Sequence, residues 1–280
     1  MKPIIKPQEL ICLLQQQKDV VLIDARTGPG ARQKYEAEHL AGALYVDLEK
    51  DLAHKRSDPS DGGRHPLPTI ASFAQLLGIL GIHPESHVVV YDDKNGANAA
   101  ARFWWMLRAI GHSNVQVLEG GYIAAHAADV PVSSGAETAA AVAPYSYSNW
   151  KLPTASITKV AEALQEQSQL VIDVRDPERF RGETEPIDLV AGHIPGAINV
   201  PFNSNLDSSG SFLAPEVLHA KYKELLGNRI AEDIVVHCGS GVTACHTLLA
   251  MNYAGLGIPQ LYVGSWSEWS RSGRPIATEG

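Results

Sequence analysis

Cysteine is scarce in this chain: Cys12, Cys238 and Cys245 are the only three among 280 residues. So low and odd a count excludes a disulfide framework and fits a reducing compartment. No apolar stretch approaches the ~20 residues that a membrane-spanning helix needs. The opening segment, "MKPIIKPQELICLLQQQ", lacks an apolar core followed by a small-residue cleavage site, so no secretory signal is expected. Positive charge is in deficit, with 23 Lys and Arg against 31 Asp and Glu and a formal net charge of −8. That balance argues against nucleic acid or a membrane surface as a partner. A soluble cytoplasmic protein is the expectation. With 45% hydrophobic and 19% charged residues, the chain has enough apolar material for real cores, in one large domain or two of ordinary size.

The chain repeats itself. "VVLIDAR" (20–26) matches "LVIDVR" (170–175), and "EHLAGALYVDL" (38–48) matches "GHIPGAINVPF" (192–202). "HVVVYDD" (87–93) matches "DIVVHCG" (233–239), and "VQVLEGGYIAAH" (115–126) matches "PQLYVGSWSEWS" (259–270). The order is kept throughout, as two copies of one unit require. Between them lies a small, polar, proline-bounded stretch read as a linker. The division is thus residues 1–131, a linker over 132–153, and residues 154–280. In each copy, short β-branched runs alternate with helical patterns such as 69–82, 99–111, 158–167, 215–227 and 244–257. This alternation predicts an α/β architecture, a mostly parallel sheet with helices on both faces. Sites in such sheets lie beyond the carboxyl ends of the strands. Asp24 and Asp173 end equivalent strands, and that symmetry suggests a shared structural task.

One strand end carries chemistry. "VVHCGSGVTAC" (235–245) runs from a β-branched strand through Cys238, Gly239, Ser240, Gly241, Val242 and Thr243 into a helix. A tight turn there aims successive N–H groups inward, and the glycines permit the positive φ it needs. The helix adds the positive end of its dipole. Both favour thiolate over thiol at Cys238. Ser240 and Thr243 add hydroxyl donors. A merely structural cysteine needs no such cradle.

Three chemistries use a cysteine in this setting. Phosphate-ester hydrolysis wants an arginine after "HC" and five residues, but Ala244 stands there, leaving no planar cation for a phosphate dianion. Metal binding through His237, Cys238, Cys245 and His246 matches no common zinc spacing. Sulfur transfer needs only a thiolate that attacks a sulfane sulfur and a cradle for the resulting persulfide.

"CGSGVTAC" (238–245), "GHIPGA" (192–197), "FWWMLRA" (103–109) and "GSWSEW" (264–269) together make nearly the whole chain resemble two-domain rhodanese-type sulfurtransferases, those using 3-mercaptopyruvate above all. The resemblance implies two tandem rhodanese-like domains with the active site between them. Cys238 in the second domain is then the nucleophile, and the first, with Asp92 in the equivalent place, has none. Sulfur from 3-mercaptopyruvate would pass through a Cys238 persulfide to a thiol or cyanide, with thiosulfate as the alternative donor. Other readings are a cysteine-dependent phosphatase and a non-enzymatic persulfide carrier. Ser240 is a candidate for moving a proton. Arg179, in "RF", would hold the donor's carboxylate, with Arg181 and His39 as further candidate substrate-binding residues. A second arginine expected after "EP" is replaced by Ile187 in "EPID". Arg64 and His65, in "DGGRHPLP" (61–68), could edge the cleft. Neither a metal nor an organic cofactor is implied. The partners expected are a small sulfur donor and a thiol acceptor, such as thioredoxin or a low-molecular-weight thiol.

Overall fold

The β-branched runs read from the sequence do form the sheet strands. The structure is a computed structural model that describes residues 1–16, 19–147 and 149–279. Gln17, Lys18, Ser148 (within the expected linker) and Gly280 (the last residue of the expected second domain) lie outside them. The chain forms two units. Residues 1–54 and 68–151 make the first, and residues 55–67 and 152–279 make the second.

The first unit contains β1 (Ile4–Ile5), β2 (Val20–Asp24), β3 (His39–Leu40), β4 (Leu44–Tyr45), β5 (His87–Tyr91), β6 (Val115–Leu118) and β7 (Val132–Ser133). Its helices are α1 (Pro7–Gln16), α2 (Ala31–Ala37), α3 (Ile70–Ile79), α4 (Ala99–Ala109) and α5 (Gly121–Ala127). A parallel sheet runs β1-β6-β5-β2-β4. Every residue of the central strand β5 is buried, as a strand covered on both faces requires. The second unit contains β8 (Thr154–Ala155), β9 (Leu170–Asp173), β10 (Ile198–Asn199), β11 (Ile234–His237) and β12 (Gln260–Tyr262). Its α-helices are α6 (Ile157–Glu166), α7 (Pro177–Phe180), α8 (Pro215–Leu226), α9 (Ala244–Tyr253) and α10 (Ser265–Trp269). Its parallel sheet runs β8-β12-β11-β9-β10, strand for strand the order of the first. The sequence repeat is therefore a repeat of topology, two parallel sheets flanked by helices.

The equivalence reaches single residues. Asp24 closes β2 and takes the fork of Arg26, and Asp173 closes β9 and takes the fork of Arg175. α4 and α9 follow the two central strands and are buried along almost their whole length.

Two boundaries differ from those read in the sequence. The segment read as a linker packs along the first unit: β7 pairs antiparallel with β3, Val142 N donates to Gly78 O, and Tyr145 is buried beside His112. Its small side chains let it lie flat; a Cβ on Gly78 would come within 2.9 Å of Val142 O. Residues 55–67 belong with the second unit. Gly62 N donates to Glu268 Oε1, and Arg64 N donates to Ser267 Oγ. Gly63 (φ +83) allows this approach, since a Cβ there would lie 2.4 Å from Gly264 O. Among the described residues no helix is long and apolar enough to cross a membrane.

Candidate active site

Cys238 follows the last residue of β11, at the carboxyl end of the central strand, and is 3% exposed. Its own N–H donates to Ser265 Oγ at 3.2 Å. Its carbonyl accepts from Trp266 N at 3.0 Å, and the Gly239 carbonyl accepts from Ser267 N at 2.8 Å. α10 thus holds the loop from its carbonyl side. Ser265 pays for this with a left-handed backbone (φ 54), held by its hydroxyl donating to Tyr262 O. Gly241 has φ +74, and a Cβ there would sit 2.4 Å from Val263 O, so the turn admits only glycine. The amides of Gly239, Ser240, Val242 and Thr243 meet no protein acceptor among the described residues. They form a set of donors at the start of α9, a setting that favours an anion.

The side chains around this loop come from distant segments. His65 Nδ1 lies 2.7 Å from Ser240 Oγ, and both residues are buried. Two guanidiniums flank Gly239: the position a Cβ would take there is 3.2 Å from Arg64 Nη2 and 3.5 Å from Arg179 Nη2. Arg64 pairs with Asp188 at 3.1 and 3.4 Å. Arg179 forks onto Glu185 at 2.6 and 3.2 Å and reaches Asp188 at 3.6 Å. Burial pushes the Glu185 carboxyl up, but Arg179 and the amides of Asp188 and Ile187 outweigh it and hold it below the usual carboxylate range. Beneath the loop, burial lowers the His237 imidazole, against the pull of Asp173. Asp173 is also buried, which works against its charge, yet with His237 and Arg175 beside it the net shift is downward; the forked bond from Arg175 makes that residue its counterion.

Not every expected residue arrives here. Arg181 turns outward and pairs with Glu183 at the surface. On a helix as short as α7, residues two apart point to different sides, so Arg179 and Arg181 cannot share a target. His39 is buried within the first unit, with Nδ1 2.7 Å from Tyr35 O, Nε2 2.9 Å from Ser133 Oγ and its ring stacked on Tyr35. Its repeat counterpart His193 does the same, with Nδ1 on Phe180 O and its ring stacked on Phe180. Both histidines tie local backbone within their own unit, the structural alternative for a histidine in this motif. Ile187 is 54% exposed and brings no charge. The sequence reading missed Glu185, Asp188 and Arg271 as parts of the site, because nothing local to them signals that they converge.

The residues weighed as metal ligands do not gather. Cys245 Sγ donates to Gly241 O, and the His246 ring packs between Phe202 and Phe212. Among the described residues no group of three or more His, Cys, Asp or Glu is placed to hold a metal ion. In the first unit, Asp92 stands where Cys238 stands in the second. Its carboxylate accepts from the amides of Lys94, Gly96, Asn98 and Ala100 at 2.8 to 3.3 Å. There the loop closes on a carboxyl of its own, which burial pushes up while the four amides work the other way.

Comparison with known proteins agrees with this architecture. The rhodanese-like domain matches twice, over residues 6–128 and 156–272. The chain is 43% identical over 274 residues to the "Probable 3-mercaptopyruvate sulfurtransferase" of Pseudomonas aeruginosa, covering 94% of this chain and 93% of that one. It is 35% identical over 247 residues to the thiosulfate sulfurtransferase of Gallus gallus, covering 88% and 83%. Among solved structures, the 3-mercaptopyruvate sulfurtransferase of Leishmania major superposes with a TM-score of 0.84 at 28% identity, over 98% of this chain and 75% of that one. The chain therefore belongs to the rhodanese family, as a sulfurtransferase built of two tandem rhodanese-like domains.

Proposed function

We propose that this sulfurtransferase takes sulfur from 3-mercaptopyruvate and passes it, through a persulfide on Cys238, to a thiol or to cyanide. The observation that carries this reading is the pair of guanidiniums beside Gly239, which suits a donor with a carboxylate a few atoms from its sulfur. The Cys238 thiolate attacks the donor sulfur. The carbon–sulfur bond breaks, its electron pair goes to the enolate of pyruvate, and the enolate takes up a proton. Ser240, hydrogen-bonded to His65, is placed to polarise the keto oxygen and to pass that proton. The unpaired loop amides hold the charge left on the outer sulfur. The acceptor then attacks that sulfur, and Cys238 leaves as the thiolate.

Charge supports the donor choice. Three guanidiniums (Arg64, Arg179 and Arg271) meet two carboxylates (Glu185 and Asp188), leaving one positive charge. A monocarboxylate balances it, whereas the thiosulfate dianion overshoots. Gly239 and Ser240 add no cation.

The test is a donor panel read by intact mass and steady-state rates. Mercaptopyruvate should load one sulfur atom on Cys238 and give a higher kcat/KM than thiosulfate. Arg179→Ala should raise the mercaptopyruvate KM roughly 10- to 150-fold, the worth of a charged hydrogen bond. Glu185 keeps Arg175 and two amides as partners in that variant, so the fold should hold. A preference for thiosulfate would refute the donor assignment. A phosphatase would gain no sulfur, and a pure carrier would load only from a partner protein.

A further inference from the structure

Arg271 lies outside every motif read from the sequence, and among the described residues its side chain bonds Asp188 and Ser267 rather than the Cys238 loop. It follows α10 and turns its guanidinium back, so that Nη1 donates to Asp188 Oδ1 at 2.9 Å and to Ser267 O at 2.8 Å. Asp188 is fully buried at its side chain and is shared by Arg64, Arg179 and Arg271. Arg175 does not substitute there: its guanidinium bonds Asp173, the Gly192 carbonyl and, at 3.3 Å, Glu185, and the charge of Asp173 offsets its own. Without Arg271 the two guanidiniums beside Gly239 would face two carboxylates, Glu185 and Asp188. The site would then have no charge left for a donor.

We infer that Arg271 is a positioning residue for the sulfur donor: it neutralises Asp188 and so leaves Arg64 and Arg179 available to the donor's carboxylate. Arg64 is the partner that exchanges. Its bonds to Asp188, 3.1 and 3.4 Å, are longer than that of Arg271, and its side chain is the more exposed, 24% against 14%. When Arg64 swings to the donor, Asp188 remains buried but paired, which avoids the large cost of an uncompensated buried charge. The third guanidinium thus comes from the far end of the second unit, while the exposed Ile187 contributes none. This inference rests on the donor reading proposed above.

The experiment compares the unmodified enzyme with Arg271→Gln, Arg271→Lys and the double variant Asp188→Asn/Arg271→Gln, measuring kcat and KM for mercaptopyruvate. Arg271→Gln should raise KM about five- to twentyfold, the reach of one charge in a half-buried site, with kcat changed less than about twofold. Arg271→Lys should recover most of the loss. The double variant removes the orphaned carboxylate together with its partner and should return KM to within about threefold of the unmodified value. That recovery is the outcome a merely structural tie would not produce. An unchanged KM in Arg271→Gln, or a double variant no better than Arg271→Gln, overturns the inference. Should Arg271→Gln not fold, the lysine and double variants decide alone: both keep the charge balance, and a KM beyond about threefold in either one overturns the inference. An unmodified enzyme that mercaptopyruvate does not load overturns the donor reading and this inference together, whereas loading without the predicted KM pattern overturns only the inference.

Discussion

Alanine placed at Gly239 and at Gly241 should separate binding from folding within one short loop. At Gly241 the backbone is left-handed (φ +74), and the new Cβ would lie 2.4 Å from Val263 O and 3.0 Å from Val263 Cα. The left-handed conformation costs an L-residue about 1–2 kcal/mol. Relieving a backbone clash in a packed site adds about 1–3 kcal/mol. Gly241→Ala should therefore destabilise the second unit by about 2–5 kcal/mol, lowering its unfolding temperature by roughly 5–15 °C. At Gly239 φ is not positive, and the new Cβ meets only the ends of two flexible side chains, Arg64 Nη2 at 3.2 Å and Arg179 Nη2 at 3.5 Å. Those can move aside for little, so Gly239→Ala should unfold within about 2 °C of the unmodified protein. The moving groups are the ones assigned to the donor, so its KM for mercaptopyruvate should rise several-fold. Calorimetry and donor kinetics on the two variants make the assay. A stable Gly241→Ala with full activity, or a Gly239→Ala that loses stability while KM stays put, would refute the placement of these atoms.

Two further outcomes follow from other parts of the structure. Glu185 is held below its ordinary range, so its contribution to stability is complete above the unfolded glutamate value of about 4.3 and is lost as pH falls through the lower folded value; Glu185→Gln should flatten urea-unfolding stability below that pH, and an unchanged acid limb would speak against the pairing. Asp92→Ala leaves four amides, two of them in fully buried bonds, without their carboxyl partner; it should cost the first unit about 3 kcal/mol while leaving the donor KM unchanged, and hydrogen exchange at residues 94–100 should report the loss.

The Cys238 loop was legible because its signals are local. A β-branched run, a cysteine, two glycines and an incoming helix all fall within "VVHCGSGVTAC" (235–245), and each has a physical meaning without the fold. The repeat and the long helices were legible for the same reason. The partners of the loop were not. His65 meets Ser240, Arg64 meets Asp188 and Arg271 meets Asp188 across separations of 175, 124 and 83 residues. No local pattern encodes such meetings. Local likeness does not place side chains: Arg181 lies two residues from Arg179 yet pairs with Glu183, and His39 and His193 share a motif in which each bonds a carbonyl of its own unit. The two-residue strands β1, β4, β8 and β10 at the sheet edges are too short to leave a period of their own.

The two copies of the loop differ in when they are finished. Around Asp92 the ring of amides is complete as soon as the chain has folded, because the group that fills it is part of the chain. After Cys238 the amides of Gly239, Ser240, Val242 and Thr243 stay unspent. Folding leaves that loop with donors in hand, a setting that suits an anion. Under the proposed sulfur transfer, the loop after Cys238 would be completed anew in each turnover, whereas its twin is completed by folding alone.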